Sequence, residues 1–280
     1  MVNWLITGVG NGLGRELARA ALARGDRVAG TVRRVGDLAA FEALAPGRAS
    51  GILLDLADLA SDPSAAMRAV AQAQEALGPI DRLVNNAGFG MVGAIEETSI
   101  TQAKALFDVN VFGAMAMIQA VLPAMRARRS GMIVNVTSLS GWAPWWGTGI
   151  YGASKYALEC IGQTLAQELR PLGIHVANVA PGGLRTGFAG SRLAEAERSI
   201  ADYDSGARQS KLMLAAGHGK EAGDPAKAAA AIVQALDDPQ PPFHLFLGED
   251  ALRHGREHFE FVEGELARWE QLSLSIGHDG

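Results

Sequence analysis

Tyr151 and Lys155, in the string Tyr151-Gly152-Ala153-Ser154-Lys155, are the residues whose types and spacing are best suited to chemistry in this chain. On a helix, residues four apart share a face, so the lysine ammonium can stand beside the phenol. An isolated phenol titrates near 10 and is a poor base at neutral pH. A neighbouring cation favours the phenolate and brings the group toward the working range. The alternative is an ordinary i, i+4 pair on a helix surface. Upstream lies Asn135-Val136-Thr137-Ser138-Leu139-Ser140-Gly141, whose serine hydroxyls could hold a substrate oxygen against the phenol.

A second string binds rather than reacts. Thr7-Gly8-Val9-Gly10-Asn11-Gly12-Leu13-Gly14 follows a strand pattern and opens a helix pattern. Glycines let backbone amides approach a pyrophosphate, and the helix N-terminus adds free N–H groups and a positive dipole end. Gly8, Gly10, Asn11, Gly12 and Leu13 are therefore candidate dinucleotide contacts. A Gly-rich turn without a ligand is the plainer reading. At the end of the second strand pattern, a carboxylate would bind the ribose 2′-OH of NAD. The chain has Thr31-Val32-Arg33-Arg34 there. Guanidinium matches a 2′-phosphate in charge and fork geometry, which favours NADP(H) over NAD(H). Arg33 is the main expected contact and Arg34 the secondary one, since neighbouring strand-end residues point in different directions. Two solvated arginines are the alternative.

These strings need a scaffold. Strand patterns occur at 3–7, 27–32, 51–54, 80–84, 131–137, 174–179 and 243–247, and most are continuous apolar runs, as strands buried on both faces should be. Helical patterns at 13–24, 64–77, 100–128 and 150–170 fill the gaps, the second stopped by Gly78-Pro79. This alternation predicts an α/β fold, a parallel sheet with helices on both faces and right-handed crossovers. Residues 186–224 break the rhythm and show no strand signal; they read as one or two mobile helices forming a lid. Residues 249–280 read as a helical extension of a single domain spanning 1–248.

Composition narrows the partners. Of 280 residues, 48% are hydrophobic, enough for a sizeable core, and the net charge of −5 gives nucleic acid no basic face. The one cysteine, Cys160, reads as core and rules out an intrachain disulfide. His254 and His258 share a helical face, but no third ligand accompanies them, so no metal site is expected. The N-terminus lacks the pattern of a secretory leader, and no apolar run looks clean enough to span a bilayer. Cytoplasmic residence without a membrane partner follows as the expectation.

The spacing T-G-x-x-x-G-x-G, combined with Ser138 thirteen residues before Tyr-x-x-x-Lys, resembles the short-chain dehydrogenase/reductase family. The resemblance implies a single Rossmann-like, doubly wound domain with a seven-stranded parallel sheet. It favours Ser138 over Ser140 as the residue on the substrate oxygen. It gives Asn110 the task of holding a water that links Lys155 to solvent. Asp55, followed by Leu56, matches the residue on the adenine amino group, although Asp55 could simply cap the next helix. Asn86-Ala87-Gly88 matches the segment beside the adenine-side ribose. Pro181, Gly182 and Thr186 match the loop on the nicotinamide carboxamide, and Tyr151 and Lys155 also touch the cofactor. The segment holding Trp142 and Trp145 lines the substrate pocket in the family, and Phe89 and Phe188 could face the same space. The implied activity is hydride transfer between nicotinamide and a carbonyl or secondary alcohol, here bulky and apolar or aromatic. A non-catalytic redox sensor or a dehydratase/epimerase using the same Tyr-Lys pair are the alternatives. A homo-oligomer, dimer or tetramer, is expected, with the long tail favouring a dimer through 100–128 and 150–170.

Overall fold

The computed structural model describes residues 1–190 and 193–278. In chain order the elements are β1 (Asn3–Ile6), α1 (Gly12–Ala23), β2 (Arg27–Val32), α2 (Gly36–Glu42), β3 (Ala49–Leu53), α3 (Ser64–Leu77), β4 (Arg82–Asn85) and β5 (Gly90–Val92). There follow α4 (Ile100–Phe107), α5 (Ala114–Arg128), β6 (Gly131–Val136), α6 (Gly149–Leu169), β7 (Ile174–Pro181), β8 (Leu193–Glu195), α7 (Ala207–Gly217), α8 (Pro225–Leu236), β9 (His244–Leu247) and α9 (Glu249–Leu274). Seven strands form one parallel sheet in the order β3-β2-β1-β4-β6-β7-β9. The chain winds outward in one direction from β1 and in the other from β4. That reversal opens a crevice beyond the carboxyl ends of these two strands, where such sheets bind ligands.

Side-chain alternation along each strand explains the two layers of helices. Trp4 and Ile6 pack on one face with Leu17 and Ala21 of α1 and Ile232 of α8. Leu5, between them, faces the other way, with Val70 of α3, Met117 and Val121 of α5 and Leu169 of α6. Each strand is thus covered on both sides, and its near-continuous apolar sequence is the result.

The described residues depart from expectation in four places. Residues 186–224 do contain a strand: β8 pairs in parallel with β5 to form a separate two-stranded sheet. Three residues with mixed polarity leave no period to read. The helix expected at 100–128 is continuous but carries a π turn, Asp108–Gly113, between α4 and α5. That helix, Ile100–Arg128, is also long and apolar enough to cross a membrane by length and composition. Half of its most apolar 18-residue stretch is buried within the fold, and Met117, Ile118, Val121 and Met125 pack on the sheet, as in a core helix. Cys160 is exposed, on the outer side of α6. The tail is helical as expected, but in α9 only Ala251 and Gly255 are buried.

One polar feature crosses the core. Asn85, Asn135 and Asn178 stand in register on β4, β6 and β7. Asn85 Nδ2 donates to Asn135 Oδ1 and Asn135 Nδ2 to Asn178 Oδ1, each at 3.0 Å. Asn178 Nδ2 continues to the buried Glu159 carboxylate at 2.6 Å, which in turn meets His244 Nε2 at 3.1 Å. Replacing Asn135 with Ala orphans an N–H on one side and a carbonyl on the other, at a cost of about 1–3 kcal/mol for each. Urea unfolding of Asn135→Ala should show a clearly lowered midpoint with an unchanged slope; an unshifted midpoint would contradict the role assigned to this row.

Candidate active site

The Gly-rich loop lies at the crevice and is tied down by its neighbours. Thr7 Oγ1 accepts from the backbone N–H groups of Asn86 and Ala87, both at 3.0 Å. The Asn86 amide donates to Thr7 O at 2.8 Å and Gly8 O at 3.2 Å. Asn86 and Ala87 therefore shape the loop rather than face the crevice with free side chains. Gly8 and Gly12 have φ of +75° and +60°, which side chains disfavour. Gly14, which the motif includes, has a packing role: a Cβ there would sit 2.3 Å from Asn86 Nδ2. Asn11 is exposed at the N-cap of α1 without a side-chain cap bond, and the buried Leu13 anchors the first turn in the core. A Cβ on Gly12 would meet Thr186 at 3.6 Å, so the loop after β7 folds over the cradle. Pro181 is buried, the Gly182 N–H bonds Leu247 O, and Thr186 Oγ1 accepts from Phe188 N at 3.2 Å.

At the adenine end the side chains are partly committed. Asp55 Oδ1 accepts from Ala57 N at 3.0 Å, which is the capping role weighed from sequence. The Leu56 side chain is buried in the core, and its backbone carbonyl packs on Gly113, 3.1 Å from the place of a Cβ there. Arg33 and Arg34 are both exposed, and Arg34 forms a bidentate ion pair with Asp37.

Tyr151 and Lys155 lie on α6 with 8% and 4% of their surfaces exposed. Lys155 Nζ donates to Val136 O at 2.8 Å and stands 6.0 Å from the centre of the Tyr151 ring. Ser138, two residues past β6, stands close enough to the phenol to lower its pKa, and its Oγ accepts from Ser140 N at 3.1 Å. Burial pushes the Tyr151 pKa up to about 12, against a smaller lowering by Ser138. Burial likewise pulls the Lys155 pKa down to about 8. The phenol is expected to become more acidic when its lysine and an oxidised nicotinamide act together. In the protein alone the dry surroundings win, because a phenolate there loses more hydration than a cation at this distance returns.

Asn110 sits in the π turn, 1% exposed. Its Oδ1 accepts from Phe89 N and its Nδ2 donates to Phe89 O and to Ser154 Oγ, all at 3.1 Å. Ser154 Oγ then donates to Tyr151 O at 2.7 Å. Both ends of the amide are used in clamping the Gly88-Phe89 segment to α6. A Cβ on Gly88 would lie 2.9 Å from Asn110 Oδ1 and 3.6 Å from Lys155 Nζ, so only glycine lets these groups converge. Asn110 is buried with Val111 and Gly113 within this π turn, a helix irregularity often found at functional sites.

The aromatic residues divide. Phe188 lies 5.5 Å from Tyr151, ring centre to ring centre, and Phe89, Met91, Leu106, Ile150 and Ala194 complete an apolar wall. Trp142 is elsewhere: its ring packs on His244, Phe246 and Phe259 at 5.0–5.7 Å, wedged between β9 and α9. The expectation that Trp142 lines the pocket is corrected, because a flat ring fills the gap under the tail helix. Trp145 is 46% exposed with its ring near His254 of α9. Glu97 had no sequence signal. Its buried carboxylate accepts from Ile200 N at 2.7 Å and Ala94 N at 2.9 Å, bonds that hold its pKa below the usual range. It pins the segment after β8 beside the site.

A family model described as short chain dehydrogenase matches residues 3–197. The chain belongs to the short-chain dehydrogenase family. Over 273 residues this short-chain dehydrogenase is 32% identical to oxidoreductase BOA17 of Botryotinia fuckeliana, covering 97% of this chain and 98% of the relative. It is 39% identical to human retinol dehydrogenase 8 over 206 residues, 71% of this chain and 63% of the relative. A short-chain dehydrogenase structure from Streptomyces avermitilis superposes with a TM-score of 0.91 at 38% identity, covering 99% and 100% of the two chains. Two similar structures at 25% identity carry nucleotide. A Burkholderia phymatum enzyme holds NAD (TM-score 0.82; 94% and 95% covered) and a serine dehydrogenase holds NADP+ (TM-score 0.74; 88% and 94% covered).

The short-chain dehydrogenase site fits a nicotinamide dinucleotide on its own geometry. Within the Gly8–Leu13 cradle a Cβ on Gly10 or Gly12 would come no closer than 3.7 Å to Asp37 or 3.6 Å to Thr186, whereas one on Gly8 would press on Ala87 at 3.1 Å. Lys155 has three N–H donors and one protein acceptor, Val136 O, so a buried ammonium awaits ligand oxygens. The nucleotide-free protein should show this deficit as a pH effect. Between the folded Lys155 value near 8 and its ordinary 10.5, the unfolded chain binds a proton the folded one has released, so stability rises with pH. Above about 10 the raised Tyr151 value acts the other way. Denaturation at pH 7 to 10 should give a rising wild-type curve relative to Lys155→Met; parallel curves would refute a destabilised ammonium.

Proposed function

We propose that this short-chain dehydrogenase is an NADP(H)-dependent oxidoreductase acting on a carbonyl or secondary alcohol whose body is bulky and apolar or aromatic. The observation that carries the reading is Tyr151 at the meeting point of Ser138, Lys155 and the Phe188–Phe89 wall. When bound, the nicotinamide supplies or accepts the hydride. Tyr151 gives its proton to the substrate oxygen in reduction and takes it back in oxidation. The Ser138 hydroxyl donates to the same oxygen and stabilises its developing charge. The Lys155 ammonium would hold ribose hydroxyls with its remaining donors, and with an oxidised nicotinamide bound it would favour the phenolate.

Arg33 supports NADP(H), since among the described residues it has no acidic partner and is free for a 2′-phosphate. Phe188, Phe89, Met91 and Leu106 support an apolar substrate, as does the resemblance to a retinol dehydrogenase. Residues 186–224 act as its lid, latched by Glu97. A cytoplasmic setting suits the exposed, unpaired Cys160.

Tyr151→Phe should lower kcat/KM by roughly 10²–10⁴ while NADPH binding stays within about threefold. Retained turnover would reject the assignment. Nicotinamide absorbance in a ketone panel should favour aromatic and long-chain members over small polar ones, and the opposite order would reject the substrate class.

A further inference from the structure

The ribose corner of the nucleotide site holds an acidic residue that the strand-end pattern does not reveal. Asp37 lies in the first turn of α2, where the helix dipole favours a negative charge. Arg34 grips it with both prongs, Nε to Oδ2 at 2.9 Å and Nη2 to Oδ1 at 3.1 Å. The carboxylate also borders the cradle: its Oδ2 is 3.7 Å from the point a Cβ on Gly10 would occupy. Arg15 closes the other side, donating to Gly10 O at 3.2 Å and to Ala40 O at 3.5 Å. The Asp37 side chain is 29% exposed and that of Arg34 is 79% exposed, so the pair stands at the mouth and not in the core.

We propose that Asp37 is a specificity-determining residue of the nucleotide site, tempering its preference for NADP(H) and keeping NAD(H) usable. It does so by two routes. It occupies the Arg34 fork that would otherwise close on a 2′-phosphate, leaving that contact to Arg33. It also places a carboxylate near the ribose, where it repels the phosphate and can accept from a 2′-hydroxyl. The corner carries three cations, Arg15, Arg33 and Arg34, and one anion, and neutralising Asp37 raises its net charge from +2 to +3. The proposal rests on the NADP(H) reading above, yet the two can fail separately.

The test is calorimetric titration of the full-length protein with NADP+ and with NAD+, which needs no substrate. Asp37→Asn and Asp37→Ser should each tighten NADP+ roughly three- to tenfold and leave NAD+ unchanged or weaker. Combining Asp37→Asn with Arg34→Ala should erase the part of the gain that comes from the released guanidinium and keep only the part that comes from lost repulsion. Arg33→Ala in the otherwise native chain should weaken NADP+ about tenfold and spare NAD+. If the Asp37 variants bind both nucleotides as the native chain does while Arg33→Ala still loses NADP+, the Asp37 proposal is overturned and the NADP(H) reading survives. If the native chain prefers NAD+ and Arg33→Ala changes nothing, the NADP(H) reading falls; Asp37 then keeps its role only if its variants shift the ratio of the two affinities.

Discussion

A lysine ammonium almost sealed from water, with one backbone carbonyl for company, is the interaction on which the rest of this structure turns. Taking a cation out of water is costly, and one hydrogen bond to Val136 O offsets only part of that cost. The fold holds the group there by crowding small residues around it. Gly88 lets the segment after β4 pass beside the ammonium, and Gly141 lets the chain after β6 run against the Lys155 backbone, 2.9 Å from a would-be Cβ. Asn110 locks this arrangement by bonding both the Phe89 backbone and, through Ser154, the turn of α6 that bears Tyr151. The free protein thus stores an unsatisfied charge at the place where a ligand rich in hydroxyls belongs.

The scaffold was largely legible because its physics is periodic. Seven apolar runs separated by helical patterns became the seven parallel strands, and the Tyr151–Lys155 spacing became one helix face. What stayed hidden depends on contacts distant in sequence. Trp142 could be placed near Ser138 and Tyr151 by position along the chain, but the direction of its ring is set by Phe246 and Phe259, a hundred residues away. Glu97 and β8 define the wall of the site through bonds to each other's segments, with no local pattern to announce them. The π turn was invisible for a similar reason, since one extra residue per turn does not disturb an apolar stretch as long as Ile100–Arg128.

The direction of the Tyr151 shift depends on what surrounds the phenol. Charge proximity was readable from an i, i+4 spacing, whereas burial is a property of the whole assembled layer. In the free protein burial dominates for both partners, raising one value and lowering the other. Catalytic readiness therefore belongs to the complex of protein and nucleotide.

The row of three asparagines has a consequence for how the chain finds its fold. A parallel sheet assembled from segments far apart in sequence can mispair by sliding, and sliding by one residue turns every side chain to the opposite face. Valines and isoleucines tolerate such an error with little penalty, since both faces are apolar. Amides do not: a shifted Asn135 would enter a greasy layer with nothing to bond. The middle of the sheet thus carries its own alignment mark, and an incorrectly threaded β6 is rejected by the same groups that hold the correct one.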